Sequence, residues 1–284
     1  MKVIVAKSAG FCFGVKRAVD TVYSEIEKGS GIYTFGPIIH NDSVVKDLEE
    51  KGVGVIGSVD EAKRIGSGTI IIRSHGVSKE TFEALAGSGL RIVDATCPFV
   101  KKIHTIVEKA SAEGKRVIVI GDREHPEVEG IVGWCTPREC ATVIENEDEA
   151  RMFEADRDGE ITVVSQTTFR AAKYKDLVEI LRKKGYNVNV VNTICNATAE
   201  RQEEARNIAS SVDMMIVIGD SKSSNTQKLY EICSRECKCT KFVQTRDNLE
   251  TDPSGSLQSV GITAGASTPK NIIEEVQNYV RINF

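Results

Sequence analysis

The chain has no apolar stretch long enough to cross a bilayer or to form the core of a signal peptide, so neither a membrane protein nor an exported one is expected. Nor does it contain a long run of lysine and arginine, and its net charge is −4. A nucleic-acid groove needs clustered cations to neutralise phosphates, so nucleic acid is not an expected partner. A glycine-rich phosphate fingerprint between a strand and a helix is also missing, which argues against a plain nucleotide-binding module.

What is present describes an ordinary globular chain: 284 residues, 40% hydrophobic and 27% charged. A chain of this length buries roughly 75% of the surface its unfolded form exposes, so it needs no staple for stability. It opens on Met1-Lys2-Val3-Ile4-Val5-Ala6, which reads as a strand, and a cytoplasmic location is expected. In that reducing compartment the eight cysteines are read as metal ligands, catalytic thiols or small buried apolar residues rather than disulfides.

Short β-branched runs alternate with amphipathic stretches. Val3–Ala6, Ile32–Phe35, Thr69–Ile72, Arg116–Ile120, Ile161–Val164, Asn187–Val191, Met214–Ile218 and Val260–Thr263 read as strands. Val15–Lys28, Phe99–Glu113, Ala171–Lys184 and Ala197–Ser211 read as helices, with apolar residues at three- and four-residue spacing. This alternation predicts an α/β fold with mostly parallel sheets.

A longer period lies beneath it. Cys12, Cys97 and Cys195 each follow a strand and directly precede a long helix, and Gly36, Gly121 and Gly219 each fall 24 positions later at the end of a strand. Four residues beyond each glycine lie His40, His125 and Ser223; six beyond lie Asp42, Glu127 and Asn225. Farther on come the polar turns Arg73-Ser74-His75-Gly76, Gln166-Thr167-Thr168 and Gly265-Ala266-Ser267-Thr268. We divide the chain into three similar α/β units, 1–96, 97–194 and 195–284, each with one cysteine and two polar loops at matching places.

Three such units about a pseudo-threefold axis would bring the three cysteines to a common centre. A thiol at a helix N-terminus ionises more readily, as a metal ligand must. Three protein ligands instead of four leave a coordination position open, the mark of a catalytic site. The loops would ring that position with hydrogen-bond donors suited to an anion. Ser223-Ser224-Asn225-Thr226 opens one helix, and Ser267-Thr268-Pro269 opens another. Each alone reads equally as an ordinary cap; their matched placement favours the anion site.

In Glu124-His125-Pro126-Glu127 the His125 and Glu127 side chains form the one acid/base-capable pair in these loops, and the same charged stretch also reads as a solvated surface loop. His104, mid-helix, reads as structural. Cys135, Cys140, Cys233, Cys237 and Cys239 read as buried or incidental thiols; a zinc site at Cys233, Cys237 and Cys239 would lack a paired second half. Two rival functions remain on the residues alone: a non-enzymatic iron–sulfur sensor, which needs no phosphate ring, and a zinc hydrolase with Cys and His ligands.

Ala9-Gly10-Phe11-Cys12-Phe13-Gly14-Val15 resembles the opening of the 4-hydroxy-3-methylbut-2-enyl diphosphate reductases, the last enzymes of the non-mevalonate route of isoprene biosynthesis. So do Arg73-Ser74-His75-Gly76, Asp94-Ala95-Thr96-Cys97-Pro98, Gly121 with His125-Pro126-Glu127, Gln166-Thr167-Thr168 and Gly219-Asp220-Ser221-Lys222-Ser223-Ser224-Asn225. These motifs arrive in order over essentially the whole chain. The resemblance implies an oxidoreductase with a 4Fe–4S cluster on Cys12, Cys97 and Cys195 whose fourth iron takes the substrate hydroxyl. It implies diphosphate ligands at His40, His75, Ser223, Ser224, Asn225 and Ser267. It further implies His125 and Thr167 near the substrate, proton delivery by Glu127, and electrons from a ferredoxin or flavodoxin.

Overall fold

β-Branched residues fill the centres of the sheets, where a parallel strand is covered on both faces and needs an unbroken apolar run. A computed structural model describes residues 1–29, 31–156, 159–250 and 257–284. Its strands are β1 (Lys2–Val5), β2 (Ile32–Phe35), β3 (Gly54–Ile56), β4 (Thr69–Ile72), β5 (Arg91–Asp94), β6 (Arg116–Ile120), β7 (Ala141–Ile144), β8 (Glu160–Ser165), β9 (Asn187–Val190), β10 (Met214–Ile218), β11 (Thr240–Val243) and β12 (Ser259–Ala264). All residues of β4 and β10 are buried, and so is all of β6 except Arg116.

The strands form three four-stranded sheets, ordered β3-β2-β4-β5, β7-β6-β8-β9 and β11-β10-β12-β1. Every pairing between them is parallel. The fold is therefore α/β with three similar units, as the alternation predicts. Each sheet repeats one plan: its first strand lies inside, the second at one edge, the third beside the first, and a fourth at the other edge. In the third sheet that fourth place belongs to β1, with Lys2 opposite Ser259 and Val5 opposite Ile262. The opening strand, grouped by sequence with residues 1–96, thus completes the sheet built from the end of the chain.

The sequence reading finds all the central strands but passes over β3, β5, β7 and β11. All four are edge strands of three or four residues. An edge strand pairs on one side only and leaves a weaker apolar trace; β1 and β9, edge strands as well, are read from the runs Val3-Ile4-Val5 and Val188-Asn189-Val190-Val191. The four helices bounded from the sequence run from Phe13–Ile26, Pro98–Ala112, Ala171–Lys183 and Asn196–Ala209, within two residues of their expected bounds; Ser224–Glu236 and Lys270–Asn283 are as long, and the sequence marks only their starts. Pro98 takes the first helical position, where its missing N–H costs nothing. Val100, Ile103, Val107 and Ala110 make the buried face of that helix.

Chain contacts divide the molecule into two compact units. One comprises Met1–Lys16, Ile39–Asp47 and Asn196–Phe284; the other comprises Arg17–Ile38 and Leu48–Cys195. The first holds the β11-β10-β12-β1 sheet, with cores on both faces. Ile216 and Ile218 join one cluster with Ile262 and Val276, while Met215 and Val217 join another with Leu229 and Cys233, the period-two alternation of a strand. The second unit holds the other two sheets. There Ile118 and Ile120 pack with Ile161 and Leu177, while Val117 and Val119 face Ile103, Val107 and Val128. No described helix is long and apolar enough to cross a membrane.

Candidate functional site

Each of Cys12, Cys97 and Cys195 lies in the loop between a fourth strand and the helix that follows it. The backbone N–H of Cys97 donates to the Ser74 carbonyl at 2.9 Å, that of Cys195 to the Thr167 carbonyl at 3.0 Å, and that of Cys12 to the Ala266 carbonyl at 3.3 Å. The acceptors all lie in the polar turns that follow the third strands β4, β8 and β12. One hydrogen bond thus recurs at the three matched places. It ties each cysteine to the turn that carries His75, Thr167 or Ser267.

Two arginines hold the cysteine loops from the helices. Arg201 is 3% exposed and donates to the Gly10 carbonyl at 2.8 Å. Arg17 donates to the carbonyls of Thr96 at 3.0 Å and Asp94 at 3.3 Å. The sequence reading names neither. Each lies within two turns after a cysteine, a visible signal, but nothing in the spacing says that it reaches the loop of a different cysteine.

None of the eight cysteines is in a disulfide, and Cys12, Cys97 and Cys195 are half-buried. The five others are placed differently. Cys135 packs among Val107, Val117 and Val128, and burial pushes its thiol up to about 12. Burial likewise raises Cys140, although its sulfur accepts a hydrogen bond from the Cys135 thiol, which opposes the shift. Cys233 lies wholly buried beside Leu229, its thiol also pushed up to about 12 by burial. Cys237 points its sulfur at the carbonyls of Val212, Asp213 and Cys239, 3.6 to 3.7 Å away. A metal ligand must be a thiolate, which burial disfavours at Cys135 and Cys233; Cys237 is buried too, while Cys140 and Cys239 are half-buried. Cys12, Cys97 and Cys195 are each half-buried and each lies next to a helix N-terminus, which suits a thiolate donor of the kind that holds iron–sulfur clusters.

In the unit that contains Arg17–Ile38 and Leu48–Cys195, an acid/base group is assembled. His125 caps the helix Pro126–Val132, its Nδ1 accepting the Glu127 N–H at 3.1 Å. Since Nδ1 accepts, the neutral ring carries its proton on Nε2. The Glu127 side chain is 2% exposed, which settles the sequence ambiguity in favour of a buried group over a solvated loop. Its two oxygens accept from the Thr167 N–H at 2.5 Å and the Thr167 hydroxyl at 2.8 Å. The His75 ring stands edge-on to His125, with centroids 5.3 Å apart. His75, His125, Glu127 and Thr167 are therefore drawn together from three separate loops.

The other unit assembles a polar cradle. Ser223 caps the helix Ser224–Glu236 by accepting the Thr226 N–H at 3.4 Å, and Ser224 accepts from Lys228. A Cβ on Gly265 would lie 2.0 Å from Thr226 Oγ1, so the Gly265–Thr268 turn sits directly on this helix start. His40 comes from a neighbouring loop, where the Asp42 N–H donates to Asp220 at 3.1 Å. Asn225 is 4% exposed and Ser267 5% exposed. Neither amide atom of Asn225 nor the Ser267 hydroxyl has a hydrogen-bond partner among the described residues. A buried polar group without a partner costs about 1–3 kcal/mol, and such groups gathered at a helix N-terminus suit an anion.

The family model described as LytB protein matches residues 3–281. The 4-hydroxy-3-methylbut-2-enyl diphosphate reductase of Thermoanaerobacter sp. (strain X514) is 44% identical over 283 residues, covering 99% of this chain and 97% of the relative. Among solved structures, the E-1-hydroxy-2-methyl-but-2-enyl-4-diphosphate reductase of Plasmodium falciparum superposes with a TM-score of 0.91 at 29% identity, covering 99% of this chain and 87% of that one. A second solved structure, of the terminal enzyme of the non-mevalonate pathway, is 40% identical with a TM-score of 0.68, covering 99% of this chain and 100% of that one. With a match from the first strand to the last helix, the chain belongs to the LytB family.

Proposed function

We propose that the chain reduces 4-hydroxy-3-methylbut-2-enyl diphosphate to isopentenyl and dimethylallyl diphosphate, with Cys12, Cys97 and Cys195 holding a 4Fe–4S cluster. The reaction consumes two electrons and two protons and releases the allylic hydroxyl as water. The observation that carries this reading is the thrice-repeated bond from a cysteine amide to a turn bearing His75, Thr167 or Ser267. It couples a metal-ligand position to a substrate position at every repeat. The full-length similarity to named reductases supports the same substrate.

When bound, the cluster supplies electrons singly and, at its open iron, a Lewis acid for the hydroxyl. Everything else falls to the chain. Ser223, Ser224, Asn225, Ser267 and His40 bind the diphosphate; His75 and His125 add donors to it or to the substrate chain. Anchoring that end fixes where the hydroxyl lies, so positioning is the larger share of the protein's contribution. Glu127 holds the proton for the leaving oxygen. With Glu127 protonated, the bond to Thr167 reverses, and the threonine hydroxyl turns its own proton outward. Product formation is completed by protonation at either end of the allyl fragment. The electron donor we assign is a ferredoxin or flavodoxin.

The test is a Mössbauer spectrum of iron-57-labelled protein, prepared without oxygen, before and after addition of the hydroxylated diphosphate. One iron in four with a distinct signal that shifts with substrate is the expected result. Four equivalent irons indifferent to substrate would mean a fully ligated cluster, and the chain would then be an electron carrier or sensor. Colourless, iron-free protein carrying zinc would overturn the cluster altogether.

A further inference from the structure

His104 and Trp134 form a stacked pair behind the Arg73–Gly76 turn, with ring centroids 5.1 Å apart and planes 15° from parallel. The His104 side chain is 6% exposed, and its Nε2 has no hydrogen-bond partner among the described residues. The ring lies against two glycines. A Cβ on Gly76 would come 2.8 Å from His104 Cε1 and 3.0 Å from Thr96 Cγ2, and one on Gly130 would come 3.7 Å from Nε2. Gly76 adopts φ +73, which favours glycine. Gly76 follows His75, Thr96 precedes Cys97, and Gly130 lies in the helix that carries Glu127.

Trp134 adds a directional bond. Its Nε1–H donates to the Val77 carbonyl at 2.9 Å, two residues beyond His75. Beside it the Lys79 N–H donates to the Gly133 carbonyl at 3.3 Å. Two hydrogen bonds therefore join the segment after His75 to the end of the helix Pro126–Val132. A cleft of about 180 Å³, lined in part by Val77, Thr96, His104 and Trp134, lies alongside. His104 and Trp134 both border this cleft, so the stacked pair stands between it and the turn.

We propose that His104 and Trp134 are positioning residues for substrate binding. Together they wedge the His75-Gly76-Val77 turn against the Glu127 helix and so set where His75 presents its ring. The role is one of shape: burial pushes the His104 imidazole down to about 4, so it is uncharged at neutral pH. This inference rests on the assignment of His75 to the substrate.

The test is a double-mutant cycle on the cluster-loaded enzyme, reading KM and kcat separately. Trp134→Phe keeps a stacked ring and removes the N–H donor. We expect KM to rise about fivefold, the scale of one neutral hydrogen bond, with kcat within about twofold. In a His75→Ala background the same substitution should leave KM unchanged. An equal rise in both backgrounds would mean that Trp134 acts elsewhere, and the inference fails. If His75→Ala alone leaves KM unaltered, the assignment of His75 to substrate fails and takes the inference with it. A second pair keeps the question open to refutation should a tryptophan variant fold poorly. His104→Ala should raise KM, and His104→Phe, which restores ring volume and stacking, should rescue it. Equal loss in both would show that the imidazole nitrogen matters, contrary to the wedge.

Discussion

Cys195 donates its backbone N–H to the carbonyl of Thr167 at 3.0 Å, while the Thr167 hydroxyl donates to Glu127 at 2.8 Å. One threonine thus links a proposed cluster ligand to the proposed proton source. Its backbone serves one partner and its side chain the other, so the two roles separate by mutation.

Thr167→Val keeps the backbone bond to Cys195 and removes the hydroxyl. Iron content should be unchanged while kcat falls about 10–100-fold, the scale of a hydrogen bond to a charged group. Thr167→Ser should recover most of it. Glu127→Gln should cost more, about 10²–10⁴-fold, as loss of a positioned acid does. Single-turnover kinetics beside iron analysis checks both. Near-normal turnover in Glu127→Gln would remove that residue from the proton path.

Asn225 offers a trade between stability and binding. Its amide is buried with neither polar atom partnered among the described residues, so Asn225→Leu should leave the fold equally stable or firmer by about 1 kcal/mol. The same change should raise KM at least about tenfold, since the cradle loses a donor to the diphosphate. Thermal unfolding and steady-state kinetics on one preparation read the two effects. Lower stability with unaltered KM would mean that Asn225 serves the fold alone.

Acid should weaken the fold through His104. Burial, the largest cause, lowers its pKa from 6.5 to about 4; Asp94 and Glu108 oppose this shift and Lys101 adds to it. The folded pKa lies below the unfolded one, so between these values the unfolded chain binds the extra proton. The contribution is complete above pH 6.5 and is lost as pH falls toward about 4. The slope is about 1.4 kcal/mol per pH unit and the whole about 3 kcal/mol. Urea midpoints measured across this range should fall less steeply in His104→Phe than in the parent. Parallel curves would rule out His104 as the group concerned.

Thiol chemistry should separate the cysteines. Cys135 and Cys233, both pushed up to about 12 by burial, should resist iodoacetamide at pH 8 in the native protein and react only after unfolding. Alanine at either position should preserve iron content, whereas Cys97→Ser should lose cluster iron. Peptide mass spectrometry and iron analysis decide both. Ready native labelling of Cys233 would contradict its place in the core.

The central strands were legible because β4, β6 and β10 are apolar almost throughout, and the cysteine loops because their spacing recurs. The short edges β3, β5, β7 and β11 were not, since a strand paired on one side needs few buried residues. The cysteine–turn bonds were invisible for another reason: they use backbone atoms, which every residue has. His104 read as structural because a sequence shows no neighbours across a fold. Its contacts with Gly76, Gly130 and Trp134 come from separate segments, and the partner of β1 lies at the far end of the chain.

That last pairing has a consequence for how the molecule is made. Ribosomes add about 5–20 residues per second, and β1 is complete as soon as its four residues exist. Its neighbour β12 follows all the other described strands in the chain. β1 therefore waits, without that neighbour, until after every other described strand is made. Cys12, the earliest of the three loop cysteines to emerge, is the last to be fixed in place. A nascent chain stalled before β12 would lack the Ala266 carbonyl that accepts the Cys12 N–H, and only Arg201, at the Gly10 carbonyl, would hold that loop.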